Sequence, residues 1–307
     1  MIHPIPSGTR DVLPDELREL RAITEAMRGV FEARRYGEIA TPALEYETVL
    51  TRGDPAAADP AYKLFDEHGN VLVLRSDMTI PIARVVGTRY EHAEPPLRFC
   101  YFAHAYRSVR PQRGQAREML QAGLELIGAP GPEGTAEAIA VLCEGLDAAG
   151  LVNYRVGLGD ASLYPRLLDR HGVPQASRAQ ILHELVTRDF VGLAREVRGH
   201  EELLRVPQLR GGVEVLDGVP EAGELRAVHD LLSPGVAARV IFDLGLIRSL
   251  GYYTGAVFEV YDAALGAPIG GGGRYDDLLG RFGRDLPACG WALNVERLHI
   301  ARVGEGQ

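Results

Sequence analysis

The sequence is poor in the features that mark several protein classes. It has three cysteines, Cys100, Cys143 and Cys289, far apart and without a C-x-x-C pair. That argues against a zinc ribbon or a disulfide framework and for a reducing, cytoplasmic setting. No run approaches the ~18 apolar residues of a membrane span. The opening MIHPIPSGTRDVLPDE carries prolines and charges where a secretory signal needs an apolar stretch. Positive charge is also short: 33 Lys and Arg face 42 Asp and Glu, a net charge of -9. A protein that grips a nucleic-acid backbone concentrates positive charge, so an RNA or DNA partner is not expected. The nine histidines show no H-E-x-x-H spacing. No paired-carboxylate motif, metal-ligand cluster or nucleophile elbow stands out.

What is present is a chain of 307 residues, 46% hydrophobic and 24% charged, which fits a globular protein with a sizeable core. Leu17, Leu20, Met27, Val30 and Phe31 fall on one helical face. Pro14 suits a first helical position, and Asp15 and Glu16 suit the positive end of the helix dipole. A helix is therefore predicted from Pro14 to about Arg35. The strand-like EIATPALEY follows, and its Pro42 suits an edge or an interface. YKLFDEHGNVLVLR reads as a hairpin around His68-Gly69-Asn70. SDMTIPIARVVG reads as a helix with Ser76 or Asp77 near its cap. LRFCYFA and EMLQAGLELIG read as strands on either side of a loop rich in Arg, Gln and Gly. From about Ser162 to Ser233 amphipathic helical spacing takes over. Strand signals return at VIFDLG, AVFEVY and CGWALNVERL. This order predicts an α+β sheet fold, with residues 1–161 and 236–307 as the core and 162–235 as a helical insertion.

Four constellations are candidates for chemistry. In Glu118–Ile127 the side chains alternate. Leu120, Ala122, Leu124 and Leu126 make an apolar face, while Gln121 and Glu125 share the other face with a side-chain-free gap at Gly123. That second face is either the floor of a pocket for a small polar ligand or a half-exposed, solvated sheet face. In LIRSLGYYTGAVFEVY, Arg248 offers two parallel hydrogen bonds to a carboxylate, and Tyr252 and Tyr253 offer hydroxyls to an imidazole or an amine. Their plain alternative is an ion pair and aromatic packing. In PIGGGGRYDDLLG, four glycines permit close backbone approach or simply a turn between strand and helix. They match neither G-x-G-x-x-G nor a Walker motif. Arg107, Arg110, Arg113 and Arg117 crowd one loop, either to meet phosphates or as solvated charges.

Taken in order, these segments resemble the catalytic core of a class II histidyl-tRNA synthetase, an antiparallel sheet flanked by helices. PSGTRDVLP is similar to the opening of that family. YGEIATPALEYETVLTRG is similar to motif 1 and FAHAYRSVRPQRGQAREMLQAGLELIG to motif 2. GLIRSLGYYTGAVFEVY and GGGGRYD resemble the two histidine-specific motifs, and ACGWALNVERL resembles motif 3. The resemblance implies a histidine site. Asp77 (where the family has Glu), Thr79 and Gln121 would take the amino group. Glu125 and Tyr253 would face the imidazole, with Arg248, Tyr252 and Tyr275 completing the pocket. Gly251 stands where an Asp is usual. Arg107, Arg117 and Arg297 would be remnants of the nucleotide site. There Val109 replaces the Glu that binds adenine, Met119 a stacking Phe, and Asn294 a motif 3 glycine.

The chain also stops just after motif 3, where a synthetase continues into an anticodon-binding domain of about 100 residues. That combination resembles the regulatory subunits of ATP phosphoribosyltransferase. It implies no catalytic residue, no cofactor and no metal. It also implies L-histidine as effector and a short-form catalytic subunit as partner, without tRNA or membrane. A homodimer through motif 1 is expected, built from Pro14–Arg35 and Glu38–Glu45. The competing expectations are a stand-alone histidine-activating enzyme that forms an adenylate, and an interaction module with a vestigial pocket.

Overall fold

The computed structural model describes residues 5–55, 61–108, 116–247 and 251–305. It opens with α1 (Pro14–Ala33), which ends two residues before the expected limit because Arg35 turns into the left-handed region at φ 62. The strand-like stretch after it is two strands, β1 (Gly37–Glu38) and β2 (Leu44–Tyr46), with Pro42 in the break between them. Helix α2 (Glu47–Gly53) leads to the hairpin of β3 (Lys63–Phe65) and β4 (Val71–Leu74), turned through Gly69 at φ 81. Then come α3 (Thr79–Arg89), β5 (Leu97–Tyr106), β6 (Glu118–Ile127), α4 (Gly131–Ala148) and β7 (Arg155–Asp160).

Residues 163–237 are mostly helical: α5 (Leu163–Arg170), α6 (Gln175–Thr187), α7 (Phe190–Glu196), α8 (Glu201–Arg205), α9 (Gly223–Leu231) and α10 (Pro234–Ala237). They are interrupted by the two-residue strand β8 (Arg210–Gly211). The chain closes with β9 (Val240–Asp243), β10 (Ala256–Tyr261), β11 (Gly270–Arg274), β12 (Ala288–Asn294) and α11 (Val295–Glu305).

Nine strands form one sheet in the order β1-β5-β6-β12-β11-β10-β7-β9-β8. The six central strands, β5 to β7 in that order, pair antiparallel. Parallel pairs occur only near the two margins, at β1–β5 and β7–β9. Strands β2, β4 and β3 make a separate small sheet. The helical segment is stitched to the main sheet through β8, which pairs with β9. Its Leu163, Leu167, Leu193, Leu203 and Leu225 join the same apolar core as α1 and α4.

The main sheet separates two cores, because neighbouring residues on a strand point to opposite faces. Ala122, Leu124 and Leu126 pack with Ile23, Met27 and Phe31 of α1 and with Ile139 and Leu142 of α4. Ile127 and Tyr101 look the other way, toward Leu50 of α2, Ile80 and Ile82 of α3, and Tyr252 and Tyr275. Gln121 and Glu125 belong to this second face. Among the described residues no helix is long and apolar enough to cross a membrane.

Candidate ligand-binding cleft

The second face of the sheet is paved with small residues. Opposed residues on neighbouring strands share a face, and the register aligns Gly123 with Ala292, Glu125 with Gly290, and Gly290 with Gly273. Each of these glycines makes room for a larger side chain. A Cβ on Gly123 would overlap the ring of Tyr101. One on Gly290 would overlap the Glu125 carboxylate. One on Gly273 would stand 2.9 Å from the Tyr253 ring. So the gap at Gly123 is not an empty floor: Tyr101 of β5 lies across it. The glycine run Gly270–Gly273 is likewise not a turn but part of β11, held between β10 and β12.

Above this floor lies a cleft of about 210 Å³. It is lined by Asp77, Thr79, Tyr101, Arg107, Met119, Gln121, Tyr252, Tyr253, Glu259, Tyr275, Asn294 and Arg297, with backbone from β11 and β12. Of the residues singled out in the sequence, Asp77, Thr79, Gln121, Tyr252, Tyr253 and Tyr275 converge here, together with Arg107 and Arg297. Glu125 sits beneath them with 1% of its surface exposed. The solvated reading of this sheet face therefore fails at Glu125. Arg117 does not reach the cleft. Its side chain donates to Ser7 O and to the Tyr62 hydroxyl, tying down the start of the chain. Arg248 and Val109, like Arg110 and Arg113, lie outside the described residues.

Glu125 is the electrostatic centre of the site. Thr79 Oγ1 donates to its Oε1 at 2.7 Å, and the Tyr275 hydroxyl donates to its Oε2. Both hydroxyls favour the charged form, but burial outweighs them and pushes the carboxyl up to about 8. Burial and the nearby Glu125 carboxylate push the Tyr275 and Tyr101 hydroxyls well up. The two tyrosines therefore stay protonated, and Tyr275 acts as a donor. Tyr252 packs edge-on against Tyr275, with ring centroids 5.7 Å apart, and against Tyr253 at 5.0 Å.

The mouth is built by the start of α3. Met78, not Ser76 or Asp77, occupies the N-cap position and gives no side-chain cap. Asp77 serves from one residue earlier, its Oδ1 accepting from Ile80 N at 3.0 Å. Burial raises the Asp77 carboxyl from its ordinary range, against that hydrogen bond and the Arg107 charge. Gln121 Oε1 is buried and accepts no hydrogen bond among the described residues. Gln121 lines the cleft, so a molecule bound there can supply the donor.

The residues that match the nucleotide site are differently placed. Arg107 and Arg297 are exposed. Arg297 Nη1 donates to Pro268 O at 2.6 Å. Asn294 uses its side chain locally, accepting from Arg297 N at 2.8 Å and so capping α11. At Gly251, the position that departs from the synthetase pattern, a Cβ would stand 3.2 Å from Asp54 Oδ1. An aspartate there would face a second carboxylate. Sequence reasoning missed Tyr101, Glu259 and Asp54. Tyr101 carried a signal in the pairing that lays it over Gly123, which only the register reveals. Among the described residues no group of three or more His, Cys, Asp or Glu side chains is placed to hold a metal ion.

The family model for histidyl-tRNA synthetase matches residues 8–298. The ATP phosphoribosyltransferase regulatory subunit of Moorella thermoacetica is 40% identical, over 97% of this chain and 82% of its own length. That of Symbiobacterium thermophilum is 39% identical, over 98% and 80%. Among solved structures, an ATP phosphoribosyltransferase regulatory subunit/histidyl-tRNA synthetase from Bacillus halodurans superposes with a TM-score of 0.89. The identity is 32%, over 98% of this chain and 84% of that one. A histidine–tRNA ligase subunit from Alicyclobacillus acidocaldarius gives a TM-score of 0.81 at 30% identity, over 100% and 98%.

Proposed function

Because this chain belongs to the ATP phosphoribosyltransferase regulatory subunits, which are built on the histidyl-tRNA synthetase core, we propose that its cleft binds free L-histidine. Through that binding it controls a separate, short catalytic subunit of the transferase in histidine biosynthesis. The observation that carries the ligand is Glu125, a carboxyl group buried at the cleft's inner end between two hydroxyls. An imidazole matches it, because it can share one proton with the carboxyl and pass its other N–H outward. The ammonium group goes to Asp77, Thr79 and the unpaired Gln121 Oε1. Arg248 is assigned the ligand carboxylate, and Tyr252, Tyr253 and Tyr275 enclose the ring. The cleft's volume lies below the ~300 Å³ at which pockets for drug-sized ligands begin, which suits one amino acid.

The chain supplies no reacting group to phosphoribosyl transfer and needs no cofactor in this role. Histidine must favour a less active arrangement of the complex, since a ligand with equal affinity for two states shifts nothing. Tenfold inhibition needs about 1.4 kcal/mol of coupling. The chain works in the cytoplasm, and its net charge of -9 weighs against a tRNA partner. The homodimer assigned to motif 1 draws on the small sheet more than on α1. The apolar face of α1, Leu20, Ile23, Met27 and Phe31, is spent on this chain's own core. Leu44, Tyr46 and Leu64 remain exposed on one face of the small sheet, where the register places Tyr46 and Leu64 both opposite Leu72.

The test mixes the purified subunits from one organism and measures phosphoribosyl transfer with and without histidine. Expected is a rise in turnover on adding this chain and a fall on adding histidine. No association and no change in activity defeats the proposal. The second reading, a histidine-activating enzyme, rests on Arg107 and Arg297 at the outer end. ATP–pyrophosphate exchange dependent on histidine would establish it.

A further inference from the structure

The end of α2 touches both walls of the cleft. Gly53 closes the helix against α3, where a Cβ on it would stand 2.7 Å from Ile80 Cγ1. Ile80 is the residue whose N–H Asp77 holds. Asp54 follows, buried to 4% exposure, with its own N–H on Leu50 O at 2.9 Å. Across 197 residues of sequence, Asp54 Oδ2 accepts from Gly251 N at 3.1 Å. Gly251 leads directly into Tyr252 and Tyr253. The far end of this short segment is pinned to β11, with Thr254 N donating to Arg274 O at 2.8 Å and Thr254 Oγ1 accepting from Asp276 N at 2.9 Å. The two cleft tyrosines thus hang between one anchor on the main sheet and one on α2.

From this juxtaposition we infer that Asp54 is a positioning residue: its carboxylate, through the Gly251 N–H, sets the place of Tyr252 and Tyr253 and so the affinity of the cleft. The inference rests on the reading of the cleft as a histidine site. It also supplies a route by which occupancy is felt elsewhere. Helix α2 follows directly on β2 and packs on α3. A shift of the tyrosine segment on ligand binding therefore pulls on the element that adjoins the small sheet. A carboxylate is suited to the task because a charge-assisted bond to a backbone N–H is stronger than a neutral one. Glycine at 251 is suited because its missing Cβ leaves the carboxylate room.

The test uses the full chain with four variants: Asp54→Ala, Asp54→Asn, Gly251→Asp, and Asp54→Asn combined with Gly251→Asp. Histidine affinity is read by calorimetry, and amide hydrogen exchange over residues 251–254 is read in the free protein. Asp54→Ala should weaken histidine about tenfold, or 1.4 kcal/mol, and speed exchange at 251–254, with Asp54→Asn falling between it and wild type. Gly251→Asp should weaken binding at least as much, because it sets two carboxylates together. Adding Asp54→Asn should then restore part of the loss, a non-additive result that general destabilisation does not give. Wild-type affinity and exchange in Asp54→Ala, or strictly additive effects of the pair, overturn the inference. If the wild-type protein binds no histidine, the functional reading falls on its own, and exchange at 251–254 then decides whether Asp54 positions the segment.

Discussion

Glu125 is a group whose protonation is set by burial against two opposing hydroxyls, and Glu125→Gln isolates that balance. The side chain keeps its shape but no longer titrates. In wild type the carboxyl is pushed up to about 8, against an ordinary value of 4.5. Between those values the unfolded chain has lost the proton and the folded chain holds it. Stability therefore falls as pH rises through this window, and it is fully retained below about pH 4.5. At about 1.4 kcal/mol per pH unit, the ceiling on the loss is roughly 5 kcal/mol. Denaturant unfolding of both proteins from about pH 5 to about pH 9 gives a difference curve in which the other titrating groups cancel. Wild type should lose stability relative to the variant up to about pH 8 and then level off. Binding follows the same proton. A complex that shares one proton between carboxyl and imidazole takes up none between about pH 6.5 and about pH 8. Below that range it releases one, and above it takes one up, so wild-type affinity for histidine should fall on both sides of a plateau. The variant should lack the alkaline fall that Glu125 causes. It should also bind more weakly by about 2 kcal/mol, or about thirtyfold, for the lost charged hydrogen bond. A flat difference curve across the window refutes the claim that burial keeps this carboxyl protonated.

Two further outcomes follow from the packing. Gly123→Ala drives a methyl into the Tyr101 ring and the Trp291 carbonyl, so it should destabilise the fold by about 1–3 kcal/mol or more. Urea unfolding reads this directly, and a neutral result would mean that Tyr101 does not lie across the gap. Leu64→Glu places a charge on the exposed apolar face of the small sheet while leaving the main core untouched. Sedimentation velocity should show a shift from dimer to monomer with the melting temperature of the monomer little changed, and an unaltered dimer would move the interface elsewhere.

The sequence was legible where periodicity speaks. The alternation in Glu118–Ile127 put Gln121 and Glu125 on one face, and the register agrees residue by residue. Pro14 and the His68-Gly69-Asn70 turn marked true boundaries, because each acts on its own backbone, whereas the strand read through Pro42 is broken there. What alternation could not say is whether a polar face is wet. That depends on Thr79 at the start of α3 and Tyr275 after β11, which arrive from 46 and 150 residues away to cover Glu125. The glycine run misled for a related reason. Four glycines look like a turn when read locally, yet in β11 they are selected by neighbours across the sheet, such as the Tyr253 ring against Gly273. Asp77 lies near the cap of α3 as read, one residue before Met78, and its side chain accepts from Ile80 N.

The two ends of the cleft also differ in what a substitution costs the fold. Glu125, Tyr252 and Tyr275 are buried, and the last two belong to the core beneath the sheet. Replacing them disturbs packing whatever the cleft binds. Arg107 and Arg297 are exposed, where substitutions commonly change stability by no more than about 0.5 kcal/mol. Replacing these two arginines is therefore cheap for the fold, whereas replacing the inner aromatic residues is not. Gln121 lines the cleft, and its buried Oε1 accepts from no group among the described residues. An acceptor that lines the cleft with no donor among the described residues suits a ligand that donates to it. An ammonium group placed beside Asp77 and Thr79 is such a donor.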